Sequence, residues 1–271
     1  MLFGKKKCTK CESEYDVVLD TCPACHEKDE QFEKSDVSKK ILWLPILKQI
    51  LLFAFGWLGL NILSLLAEII ALTFTSSDDV SYYMFVNMVR YLGVLIAVAI
   101  LLWNNFPTFK RHFNKWFPYV IGIVGGIAMI AANIVWGNIV NLFYTPEANQ
   151  NQAVANSLVD TYPILCIFLL GIIGPVVEEF TYRVGLFSFF SRINKYLAYA
   201  ITIVIFASIH FNFFAKGDDM INELWNLPVY IIGGFLLTLW YDKWGIASSL
   251  TAHIFNNLYS VLITILVSNI K

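Results

Sequence analysis

Apolar runs of 18 or more residues recur along this chain, and each is long enough to cross a bilayer core of about 30 Å. That feature narrows the fold to an all-α polytopic transmembrane bundle, because a helix satisfies its own backbone polar groups in lipid. Composition agrees: 58% of the residues are hydrophobic and 14% are charged, where a soluble domain carries about 25% charged residues. The net charge of −1 leaves no basic face for nucleic acid. Spans are expected at 43–73, 85–103, 117–143, 162–180, 197–214, 226–241 and 245–268, seven or eight crossings in all. The first is longer than one crossing needs and is expected to include an interfacial part.

The first 40 residues are polar and precede a span too long for a signal h-region, so they read as a retained segment. Four of the five cysteines lie here, as Cys8-x-x-Cys11 and Cys22-x-x-Cys25. Two such pairs separated by ten residues could form two disulfides or one tetrahedral zinc site. Each C-x-x-C knuckle lets two thiolates converge on one ion, Pro23 suits a tight knuckle, and Glu14 to Asp20 reads as a short hairpin. The expectation is a structural zinc ribbon over residues 1–27, a polar linker over 28–40 and a membrane region over 41–271. A closed four-cysteine site has no open coordination position, so the ribbon reads as a recognition or regulatory module of unknown partner. Cys166, inside an apolar run, reads as a small core hydrophobe.

Loop charges alternate. Lys39 and Lys40, then Lys110, Arg111 and Lys115, then Arg192 and Lys195, then Lys243 fall in every second loop. The intervening loops hold Asp78 and Asp79, no Lys or Arg from Tyr144 to Asp160, and three acidic residues (Asp218, Asp219, Glu223) against Lys216. Basic loops mark the cytoplasmic side, which puts the ribbon in a reducing compartment that favours thiolate–metal over disulfide and the C-terminus outside. The expected location is the cell membrane. No internal repeat is evident, which weighs against an inverted-repeat transporter.

Charges inside spans are costly and mark function by default. Glu68 and Arg90 are singletons that could pair or sit near an interface, and neither receives a role. The dense set is Glu178-Glu179-Phe-Thr-Tyr-Arg183, Phe206-Ala-Ser-Ile-His210 and His253-Ile-Phe-Asn-Asn257. Glu179 and Arg183 share a helix face at i,i+4 and can pair. Glu178 is turned about 100° away and is left as the free carboxylate, suited to a general base. Gly174-Pro175 upstream breaks or kinks the span, as happens beside a cavity. His253 and Asn257 share a face of the last helix. If three helices meet, Glu178 and His210 can hold and deprotonate a water while His253 and Asn257 donate to an oxyanion. The same Glu/His/His set could instead bind a divalent metal. Neither H-E-x-x-H nor a G-x-S-x-G elbow is present. On chemistry alone a proton-coupled transporter competes with a hydrolase, and a non-catalytic immunity or scaffold protein remains a third class.

In this order the three motifs resemble those of the CAAX-protease and bacteriocin-processing membrane family, which carries E-E-x-x-x-R, F-x-x-x-H and H-x-x-x-N on separate transmembrane helices. The likeness covers roughly residues 160–260. It implies a helical bundle with a cavity reached from the cytoplasm, and an endopeptidase acting on a membrane-associated protein or peptide, prenylated tails among them. It also implies a water activated by glutamate or metal, with Glu178 and His210 on water, His253 and Asn257 on the oxyanion, and Glu179 and Arg183 shaping the site. Tyr182 and Val184 depart from the Phe and Gly that commonly flank the arginine, with Gly185 one place later. His210 is awkward: about fourteen helical residues from Tyr196 would bury it some 21 Å deep, unless its helix tilts or ends in a recessed loop.

Overall fold

The computed structural model describes residues 4–32 and 35–268. The extreme residues of the expected ribbon, two linker positions and the last three residues of the expected membrane region lie outside these. Strands β1 (Lys5–Lys7) and β2 (Glu14–Asp16) pair antiparallel with Lys6 opposite Tyr15. The hairpin therefore encloses the Cys8–Cys11 knuckle instead of lying between the two knuckles as expected. The second knuckle is flanked by the bridge of Thr21 with Lys28. Each knuckle ends on a non-glycine residue in the left-handed region, Glu12 at φ 59° and His26 at φ 58°. That conformation folds the chain back so that the amides of Glu12 and His26 bond the carbonyls of Cys8 and Cys22 at 3.1 and 2.9 Å.

A short helix, α1 (Asp36–Lys39), is capped by Ser35 and leads into the membrane region. There the structure has α2 (Ile46–Ala71), α3 (Val80–Leu102), α4 (Phe106–Phe113), α5 (Phe117–Val140) and α6 (Gln150–Thr161). It continues with α7 (Pro163–Ser191), α8 (Lys195–Ser208), α9 (Asp218–Trp244) and α10 (Ile246–Ser268). Six helices among the described residues are long and apolar enough to span a membrane, α4 continuing α3 in one of them, and α8 is a shorter apolar helix. Exposed residues of α2 recur at Leu58, Ile62, Leu65 and Ile69, the helical spacing of a lipid-facing stripe.

Two boundaries differ instructively from expectation. The span expected to stop at 180 runs on to Ser191, because the polar Glu179, Thr181 and Arg183 are wholly buried among protein partners. The span expected from 226 begins at Asp218, whose polar first turns reach into the loops and bury Asn222 and Glu223. Helix α7 is interrupted by two wide π segments, Leu169–Ile173 and Glu179–Phe187, a backbone irregularity frequent at functional sites.

Packing centres on α7. Helix α2 crosses the second π segment at Gly56 and Gly185, where a Cβ would meet Thr181 Oγ1 at 1.8 Å and the Phe53 amide nitrogen at 2.8 Å. Close approach through small residues is the usual means of tight association within membranes. Helix α10 lies along α5, and α9 packs against α5, α8 and α10.

The ends of the bundle differ. At the ribbon end Lys40 and Lys195 meet buried Asp242 at 3.1 and 2.7 Å, and Arg192 donates to the carbonyls of Leu42 and Leu44. The Arg111 guanidinium pairs with Asp20, tying the hairpin region to α4. Below this layer Tyr182, Phe187 and Tyr241 are fully buried and close the bundle. At the other end, buried Glu223 accepts from the amides of Gln150 and Asn212, both at 3.1 Å. It thereby fixes the start of α6 against the segment following α8.

Candidate active site and cysteine cluster

Helix α7 places Glu178 and Glu179 at mid-bundle, and the neighbouring helices give the two carboxylates different surroundings. Glu179 has no exposed surface, and its Oε1 lies 3.0 Å from Arg183 Nη1 and 3.0 Å from His253 Nδ1. The Arg183 guanidinium also sits 4.5 Å over the Phe206 ring. Glu178 lines a cavity of about 940 Å³. Its Oε1 accepts from the Tyr91 hydroxyl at 3.4 Å, and its Oε2 lies 3.6 Å from His253 Nε2.

His253, nearly buried on α10, thus touches both carboxylates with its two ring nitrogens. Donation from Nδ1–H to Glu179 would fix the ring and aim Nε2 at the cavity. His210 follows the end of α8 in a turn, which resolves its depth: the helix stops at Ser208. Its ring stacks on Tyr230 at 4.5 Å and meets Phe206 edge-on at 5.1 Å. Asn149, anchored by Glu223, donates to the His210 carbonyl at 3.1 Å. Asn257 donates to the Leu170 carbonyl at 3.2 Å in the first π segment, while Asn256 donates to Asn257 Oδ1 at 3.3 Å.

All three sequence motifs therefore meet. Glu178, His210, His253 and Asn257 face one cavity, whereas Glu179 and Arg183 stand behind its wall. The carboxylate of Glu178 approaches His253, and His210 lines the same cavity. Sequence reasoning missed Tyr91, Tyr230 and Glu223. Arg90 also lines the cavity, without the Glu68 ion pair considered from sequence; its Nη2 donates to Asn87 and its Nε has no hydrogen-bond partner.

The four ribbon sulfurs lie within 4.8 Å of one another. Cys8 lies 3.5 Å from Cys25 and Cys11 3.6 Å from Cys22, near the ~3.8 Å edge of a tetrahedron with ~2.3 Å zinc–sulfur bonds. The Ser13 hydroxyl beside both sulfurs draws the Cys22 thiol down to about 6 and lowers that of Cys11, favouring their thiolate forms, whereas burial and the three neighbouring thiols push Cys25 up to about 12. Four soft donors so arranged fit zinc. Among the described residues, this quartet is the group of three or more Cys, His, Asp or Glu donors that converges closely enough to hold an ion.

The cavity lining is concentrated toward one end of the bundle. The lining comes from the far ends of α2, α5 and α10, the start of α3, and α6, with Ser77, Asn151 and Thr264 among its residues. All of these lie at the end opposite the ribbon.

The all-helical membrane bundle gathers around one cavity the three motifs that carry the resemblance to the CAAX-protease family. Residues 160–259 match the family described as "Type II CAAX prenyl endopeptidase Rce1-like", so the resemblance carried by the motifs is borne out over that segment. UPF0177 protein YvdC of Lactococcus lactis subsp. lactis (strain IL1403) is 25% identical over 85% of this chain and 89% of its own length. UPF0177 protein YxdF of the same strain is 28% identical over 55% of this chain and 79% of its own length. A third relative, the UPF0177 protein in the abiGi 5' region of Lactococcus lactis subsp. cremoris, is 25% identical over 65% and 70%. No solved structure matches the chain significantly.

Proposed function

We propose that the protein is an intramembrane endopeptidase that hydrolyses a peptide bond in a membrane-associated protein or peptide. The observation that carries this reading is the Glu178 carboxylate on the cavity wall, with Tyr91 on one oxygen and His253 Nε2 at 3.6 Å from the other. Both groups face the cavity, where a single water beside them can contact each. Glu178 takes a proton from the water as its oxygen bonds to the scissile carbonyl carbon. His253 Nε2 accepts from that water, and donors at His210 and the second amide hydrogen of Asn257 stabilise the oxyanion. Glu178 then passes the proton to the leaving nitrogen as the carbon–nitrogen bond breaks. Glu179, held by Arg183, orients His253.

The residue division follows the chemistry: ribbon 1–27, linker 28–40, protease region 41–271. The ribbon binds one structural zinc at Cys8, Cys11, Cys22 and Cys25, and it faces the cytoplasm of a cell whose plasma membrane holds the bundle. This orientation rests on the basic loops at the ribbon end.

The test compares the cell's membrane proteins between the wild type and Glu178→Ala, and then assays a candidate substrate with purified protein. Glu178→Gln, His210→Ala and His253→Ala should abolish cleavage in protein that still inserts. Full activity in Glu178→Gln would overturn the proposal, and site variants that keep the cellular phenotype would favour a non-catalytic immunity or scaffold role.

A further inference from the structure

Access to the cavity is one-sided. From Glu178 and His253 at its floor, the cavity widens toward the end carrying α6, the 72–79 loop and the last turns of α10. Toward the ribbon the path is closed by the fully buried Tyr182, Phe187 and Tyr241, and behind them by Ser188, whose hydroxyl meets Tyr241 Oη at 2.7 Å and donates to the Lys40 carbonyl at 2.6 Å. The charge pattern gives the two ends their sides. Basic residues occupy the ribbon-end loops at 39–40, 110–115, 192–195 and 243, while the described loops at the mouth end hold Lys216. Basic loops stay on the cytoplasmic side, so the mouth belongs to the opposite face.

The lining also selects the occupant. Gln150, Asn151, Asn156, Ser77, Ser260 and Thr264 offer amides and hydroxyls, which donate and accept as an extended peptide backbone does. Arg90 is the one Lys or Arg among the lining residues, a poor match for phosphate-bearing lipid headgroups, which call for clustered cations. We infer that the substrate is a polypeptide segment on the non-cytoplasmic face of the membrane, entering through this rim. The substrate class rests on the protease reading above; the direction of access does not.

Two measurements test the inference. Ser260→Cys and Asn156→Cys, each in the full chain, are treated in intact cells with a membrane-impermeant maleimide, with Lys243→Cys as the ribbon-end reference and labelling read site by site by mass spectrometry. The expected result is labelling of both rim positions in intact cells, with Lys243→Cys labelled only after the membrane is opened. Rim labelling that needs an opened membrane, or equal labelling of all three positions in intact cells, overturns the proposal. Proteins whose cleavage is lost in Glu178→Ala cells should be cut in segments outside the cytoplasm; cuts confined to cytoplasmic tails overturn the substrate class. Loss of activity in Glu178→Gln decides the protease reading separately, because that substitution leaves the labelling unchanged.

Discussion

Glu179 Oε1 sits 3.0 Å from His253 Nδ1, joining the middle of α7 to α10 at a point with no exposed surface on the carboxylate. The contact turns a flexible imidazole into a fixed one, because the second ring nitrogen is then committed to the cavity. A carboxylate behind a catalytic histidine commonly supplies both orientation and charge.

Glu179→Gln should therefore reduce cleavage by about 10²-fold or more while Glu178 remains in place. The same change leaves Arg183 as an unpaired buried cation, with an expected stability loss of about 3–5 kcal/mol. Parallel activity assays and thermal unfolding in detergent check both. An unaffected turnover rate would show that His253 is not positioned by this contact.

Glu223 makes a second distant claim on activity. Its carboxylate holds the amides of Gln150 and Asn212 and the side chain of Asn149, which in turn holds the His210 carbonyl. Glu223→Ala orphans these donors, at a cost of about 1–3 kcal/mol for each one left buried. The expected result is faster hydrogen exchange over residues 144–150 and 209–214, together with loss of cleavage, while α2 and α5 keep their protection.

Gly185→Ala brings a methyl group to 2.8 Å from the Phe53 amide nitrogen of α2. Backbone cannot yield as a side-chain tip can, so overpacking of about 1–3 kcal/mol is expected. Gly137→Ala, where a Cβ meets nothing within 4 Å, is the control and should leave the melting temperature nearly unchanged.

The ribbon's attachment should depend on acid. The Arg111 guanidinium bonded to Asp20 holds that carboxyl below the usual carboxylate range. A depressed folded value contributes above the unfolded value of about 3.9 and is lost as pH falls through the folded one. Proximity of ribbon and α4, read by paired fluorophores, should stay constant through neutral pH and loosen below about pH 4. Asp20→Asn should show the loosened state at every pH.

Metal analysis should find one zinc per chain, lost in a Cys8→Ser/Cys11→Ser variant. Removal by a chelator should unfold residues 4–32 and leave the helices intact. A second zinc retained by that variant would point to metal elsewhere in the chain.

Much of this architecture could be read from the sequence, for reasons that also explain the misses. Apolar runs located the six long apolar helices among the described residues, while the span expected at 197–214 is the shorter α8; two ends were misplaced where polar residues are buried, since Arg183 and Glu223 looked like places where a span must end. Single-helix geometry separated Glu178 from Glu179 correctly because both lie on one element. It was blind to the pairing of Glu179 with His253, which joins residues 74 positions apart. Tyr91 and Tyr230 were invisible for another reason, being two aromatics among 13 tyrosines and 22 phenylalanines. The π segments of α7 leave no periodic signature that a composition scan detects.

The cavity that stops at Tyr182, Phe187 and Tyr241 has an electrical consequence. A polar recess open on one side carries the potential of that side inward, so an energised membrane drops most of its voltage across the short remaining plug. Glu179 and Arg183 stand behind the cavity wall and would lie within that compressed field, where one elementary charge moved across the whole drop is worth about 2.3 kcal/mol per 100 mV. Proton movements at the cavity floor would then be coupled to membrane voltage without an arginine-rich helix among the described residues.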